Sequence, residues 1–114
     1  MRRAFAHDAV VTLAPGGDER APGAAITAAL CGHWEHEPPC PLAPHHTAAA
    51  PGDGGELRLR VLFASAPDDE AEVRRRIDAA LAAGGLGATH WEFGGSRPGA
   101  VGADEAARAA RLSG

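Results

Sequence analysis

Ala24-Ala25-Ile26-Thr27-Ala28-Ala29-Leu30-Cys31-Gly32-His33-Trp34 admits two backbones, and the choice between them decides the fold. Its alanines have high helix propensity. Its pattern, however, has period two. Ile26, Ala28, Leu30 and Trp34 share one face of a strand, while Thr27, Cys31, His33 and Glu35 share the other. The alternation favours a strand, apolar on one side and chemically active on the other. A helix over 24–31 would instead make strand and helix alternate along the chain.

Working outward, residues 8–14 predict a strand on the strength of Val10, Val11, Thr12 and Leu13. Pro15-Gly16-Gly17-Asp18 breaks it. Downstream, residues 57–64 form the clearest strand. Leu57, Leu59, Val61 and Phe63 face one way, and Arg58 and Arg60 the other. A helix follows at once. Ser65 is placed to cap it, with Asp68 at the capping-box position and Pro67 in the first turn. Val73, Ile77, Ala80 and Leu81 make its buried stripe, Glu70–Arg74 and Glu72–Arg76 have the favourable i,i+4 order, and Gly84-Gly85 ends it. Residues 88–93 predict a last strand with Trp91 and Phe93 inward. Residues 104–112 predict a short Ala-rich helix.

These elements assemble as α+β: a small antiparallel or mixed sheet of about four strands, with one main helix and a short C-terminal helix packed on one face. The helix alternative at 24–31 gives the ferredoxin-like order. No internal repeat is present. With 114 residues the chain suits a single domain, residues 1–114.

The interior is thin on paper. Twenty-seven residues are Ala, whereas Leu, Ile, Val and Phe together number 19. Such a core invites a metal, a staple or a partner to complete it. Lys, Asn, Gln and Tyr are absent, a background that weakens any argument from Ala or Gly abundance.

Formal charge is −4, all of it in residues 1–57, which hold three Arg against seven carboxylates. Phosphate binding needs a clustered positive field, so nucleic acid is excluded as a partner. No apolar stretch approaches the ~18 residues of a membrane span. Met1-Arg2-Arg3 has the basic start of a secretion signal, but Asp8 interrupts it before any apolar run. The expected setting is the cytoplasm, with Cys31 and Cys40 reduced. Outside the cell the two could form a disulfide.

Residues 35–56 predict a long loop, because Pro38, Pro39, Pro41, Pro44 and Pro51 forbid a regular helix and disfavour a central strand. Thr47–Gly55 looks like a linker. The segment Cys31-Gly-His-Trp-Glu-His-Glu-Pro-Pro-Cys-Pro-Leu-Ala-Pro-His-His46 carries two Cys and four His. Imidazole and thiolate are the ligands that Zn²⁺ selects, and other divalent transition metals accept imidazole as well. Prolines stiffen the excursion and reduce the entropy lost in gathering the ligands. The expected ligands are His33, His36 and Cys40, completed by His45 or His46, with Cys31 able to replace His36. No zinc-ribbon or metalloprotease signature matches the spacing. An alternative is that the histidines bind nothing and Cys31 is buried as a small apolar group.

Three roles follow. The first is a small zinc-binding protein whose ion is mainly structural. The second is an interaction module that homodimerises or meets a protein partner without metal. The third is a metallo-hydrolase with Glu35 or Glu37 as general base, disfavoured because so short a chain leaves little room for a deep pocket. His90, and the polar-face Arg58 and Arg60, are secondary candidates, the arginines chiefly for ion pairing.

Overall fold

Residues 21–31 are helical, which settles the ambiguous stretch against the strand expectation. The computed structural model describes residues 2–31 and 43–113, with Cys31 described by its backbone alone. Helix α1 (Ala21–Cys31) buries Pro22, Ile26 and Leu30. These recur at i, i+4 and i+8, a spacing that keeps one face in a helix and one face in a strand alike. Ala28 separates the two readings. A strand would bury it between Ile26 and Leu30, yet it is exposed. An alanine at a would-be core position carries almost no directional information, so intrinsic propensity decides the backbone.

With α1 a helix, the chain runs β1 (Arg3–Leu13), α1, β2 (His45–Pro51), β3 (Glu56–Ser65), α2 (Glu70–Ala82), β4 (Gly85–Leu86), β5 (Thr89–Gly99) and α3 (Ala106–Ser113). The five strands form one antiparallel sheet in the order β2-β3-β1-β5-β4. This α+β arrangement is the split βαβ order of the ferredoxin-like fold. β1 begins earlier than the sequence pattern indicates and sits at the centre. It pairs with β3 from Arg3↔Ser65 to Thr12↔Glu56, and with β5 from Ala6↔Gly99 to Leu13↔Trp91.

Residues 45–51 are strand, where proline content predicts loop and linker. The reason is positional. Pro44 precedes β2, Pro51 is its last residue, and β2 is an edge strand, so neither ring removes a hydrogen bond from the sheet interior. The turn after it is short, a 3-10 turn over Asp53–Gly55.

Alternation along the strands divides the sheet into two faces. Phe5, His7, Ala9 and Val11 of β1 lie level with Phe63, Val61, Leu59 and Leu57 of β3, and α1 and α2 cover this face. Val73, Ile77 and Leu81 of α2 are fully buried against it, together with Ile26 and Leu30. Full burial of each such side chain contributes about 1.5–3 kcal/mol. Trp91 is buried here too, and its indole N–H donates to Leu81 O at 2.8 Å. α2 differs from expectation at its start. Ser65 ends β3 fully buried and donates its hydroxyl to Ala66 O, leaving a 3-10 turn at Pro67–Asp69 to open the helix. At its end, Gly84 adopts φ +75° and donates to Leu81 O, closing the helix as the sequence indicates.

The opposite face carries α3. Ala109 is buried there, above a patch where Ala6, Leu62 and Ala64 are also buried. Among the described residues, α3 covers one end of that face and leaves the other open.

Candidate functional site

Residues 32–42 lie outside the described residues. His33, His36 and Cys40 are therefore not placed, and neither are Trp34, Glu35 and Glu37. Of the expected ligands, His45 and His46 are described. They are consecutive on β2, so their side chains leave opposite faces. A single ion can take only one of them.

His45 faces α1. Its Nδ1 lies 3.2 Å from Ala43 O, and its Nε2 lies 3.0 Å from Thr27 Oγ1. A carbonyl oxygen can only accept, so Nδ1 carries the proton and Nε2 presents its lone pair toward the last turns of α1. Burial holds the His45 pKa below its ordinary value, against the opposing pull of the Ala43 carbonyl. A ligating histidine has this state: a backbone carbonyl fixes one nitrogen and the other is basic and directed. α1 ends at Cys31 and β2 begins at His45, so the chain between them joins the two elements that meet at this corner.

His46 faces α3. Its Nδ1 accepts from Arg108 Nη1 at 3.2 Å. A guanidinium at hydrogen-bond distance repels a second cation, which makes His46 the poorer ligand. His90 is exposed on β5, on the far side of the sheet from β2, and does not approach His45. Among the described residues, no three His, Cys, Asp or Glu side chains come together to hold an ion. No helix among them is long and apolar enough to cross a membrane.

Two polar networks were less visible in the sequence. The first is centred on His7, which is 2% exposed under α2. Arg74 Nη1 donates to His7 Nδ1 at 3.1 Å and to Ala6 O at 2.7 Å. Because a guanidinium only donates, His7 carries its proton on Nε2 and donates it to Asp78 Oδ1 at 2.8 Å. Ser96 Oγ donates to the same Asp78 oxygen at 2.6 Å. Asp78 sits between serine and histidine, so the histidine cannot take the serine proton, and this is no nucleophile relay. Arg74 also lies over the rings of Phe63 and Phe5, at 5.3 and 5.9 Å, and bonds Glu70 at 2.9 Å. The network satisfies a buried imidazole and clamps α2 to β1 and β5. Its sequence signal is the place of His7 in the Phe5, Ala9, Val11 alternation.

The second network is on the opposite face. Arg60 reaches Glu105 with Nε and Nη2, at 2.9 and 2.7 Å, and Asp8 with Nη1 at 2.9 Å, and it also donates to Ala100 O. The Arg60 guanidinium, aided by the Gly102 N–H, holds the Glu105 carboxyl down to about 2. This ties the start of α3 to the sheet, and Arg60 serves the ion-pairing role expected of it. Arg58 pairs with Glu56 at 3.0 Å.

Beyond α3, the half of this face left uncovered by the described residues is an open groove of about 870 Å³ crossing β2, β3, β1 and β5. Comparison of the chain with protein-family models, with curated proteins and with solved structures returns no match.

Proposed function

We propose that this protein binds a divalent transition metal, zinc in the first instance, at the corner where α1 and β2 meet. His33, His36, Cys40 and His45 would hold the ion. The observation that carries the reading is the setting of His45: its Nδ1 is pinned to Ala43 O and its Nε2 is aimed toward α1. The places of His33, His36 and Cys40 rest on their spacing and on the affinity of imidazole and thiolate for such an ion. Thr27 Oγ1, which bonds Nε2 here, can yield to a metal or turn to support the neighbouring ligands. The described core already buries Ile26, Phe63, Ile77 and Leu81 in full. The ion would therefore order the segment between α1 and β2 more than it would hold the whole fold. A reducing cytoplasm keeps both thiols available to it.

Elemental analysis of untagged protein tests this. The parent should retain about one zinc per chain through dialysis, since structural sites bind by about 10–16 kcal/mol. Cys40→Ser and His45→Ala should lose it, and His46→Ala should keep it. Stoichiometric zinc in Cys40→Ser or His45→Ala would refute the ligand set.

One observation favours a second role, homodimerisation. β2 is an edge strand, and His45–Pro51 carries no Lys, Arg, Asp or Glu to discourage pairing. Two copies could join antiparallel along β2 about a two-fold axis. Sedimentation of the parent and of Ala50→Lys decides it: a dimer that becomes a monomer in the variant supports edge pairing, and a monomeric parent rejects it.

A further inference from the structure

The uncovered groove has a floor almost without side chains. Val10 of β1 lines it. Ala48 and Ala50 bound it on the β2 side, and Gly94 and Gly95 on the β5 side. The β1–β5 register slips between Val10 and Val11, so a bulge sits at these glycines. A Cβ on Gly94 would come within 2.9 Å of Val10 Cγ1, and Gly95 has φ +119°. Glycine is therefore required for the strands to pass this closely. The same absence of side chains leaves the apolar surface of Val10 open. Bulges and strand glycines of this kind mark places where another molecule approaches the backbone.

Three guanidiniums border the hollow, and they are not equivalent. Arg60 is saturated by Asp8, Glu105 and Ala100 O, so it forms a wall. Arg58 holds one exposed carboxylate, Glu56. Arg97 lies across from Asp8 in the β1–β5 register. The Asp8 carboxylate is committed to Arg60, and Arg97 makes no ion pair among the described residues. An apolar floor beside an exposed, unneutralised guanidinium complements a molecule with a flat apolar body and one acidic group.

We infer that this groove binds a small apolar acid, an aromatic or short-chain carboxylate or sulfonate, with its body on Val10, Ala48, Ala50 and Gly95 and its anion on Arg97. The site is on the face of the sheet opposite His45 and does not depend on metal.

The test uses the full chain in buffer containing a chelator. The probe is 1-anilinonaphthalene-8-sulfonate, with uncharged N-phenyl-1-naphthylamine as its counterpart. The sulfonate should bind saturably at one site and shift the amide resonances of Gly94, Gly95 and Arg97. Arg97→Gln should weaken the sulfonate about tenfold, the loss of one charge-assisted contact, and leave the neutral probe unchanged. Ala48→Leu, on an exposed strand position, should fill the hollow and weaken both probes. The inference is overturned if the sulfonate does not saturate below about 1 mM. It is also overturned if the shifts map elsewhere, if Arg97→Gln affects both probes alike, or if the groove resonances report a self-associated face without probe. Because chelator is present throughout, failure here leaves the metal reading standing, and the converse also holds.

Discussion

Replacing Ile26 by Ala and Ala28 by Glu, separately, isolates what makes residues 21–31 a helix. Ile26 is fully buried between the sheet and α2. Truncation to Ala removes three carbons. At about 0.8 kcal/mol per buried CH₂ the transfer loss is ~2.4 kcal/mol, and a partly collapsed cavity raises the cost to about 3 kcal/mol. Alanine's better helix propensity returns a few tenths of this. Two residues on, Ala28 is exposed. Glutamate there should change stability by less than about 0.5 kcal/mol. In a strand the same substitution would place a carboxylate between Ile26 and Leu30 and cost several kcal/mol. Urea denaturation followed by circular dichroism measures both. With ~4 °C per kcal/mol for a domain of this size, Ile26→Ala should melt about 12 °C below the parent and Ala28→Glu within about 2 °C of it. Equal losses in the two variants, or a loss below about 1 kcal/mol for Ile26→Ala, would refute the packing argument.

Other outcomes are fixed by the same structure. Glu105, held down to about 2 in the folded state against 4.5 ordinarily, stabilises the docked α3 fully above about pH 4.5 and loses that contribution as pH falls toward 2. Amide exchange of Ala106–Ser113 should accelerate over this interval, and Glu105→Gln should abolish the interval while loosening α3 at neutral pH. A ¹⁵N spectrum of His7 should show the proton on Nε2; a proton on Nδ1 contradicts the Arg74 contact. His7→Ala should cost about 2–3 kcal/mol in chemical denaturation, from a cavity plus a bond lost to Asp78. Gly55→Ala should cost much more than Gly54→Ala. Both have positive φ, worth about 1 kcal/mol each, but only at Gly55 would the new Cβ lie 2.7 Å from a backbone oxygen, that of Leu13.

What was legible in the sequence followed the size of the side chains. β3 and α2 are full of Leu, Val, Phe and Ile at unambiguous spacing, and the structure has both, including the Glu70–Arg74 and Glu72–Arg76 pairs at 2.8 Å. α1 is ambiguous in the sequence because its only large apolar residues, Ile26 and Leu30, stand four apart, a distance that suits either period. β2 was hidden because prolines at a strand's ends look like prolines within it, and because Ala48–Ala50 announce no face. In the candidate metal corner, composition singles out His45, whereas the tautomer that turns its Nε2 toward α1 depends on Ala43 O and Thr27 and has no sequence signature. Composition carries no sign of the groove. Its defining residues are the small ones, Ala48, Ala50, Gly94 and Gly95, and only pairing across four strands gathers them.

The central place of β1 has a consequence for how the protein is made. On the ribosome β1 emerges before either of its partners, and Ala6 must wait for Gly99 to be translated. Until then Val11, Ile26 and Leu30 have no finished sheet to cover, and the nascent chain exposes them to chaperones or to neighbouring polypeptides. Pairings so distant along the chain make folding slower than in helical bundles built from local contacts. The yield of native protein should therefore respond to the rate of synthesis and the supply of chaperones as well as to equilibrium stability.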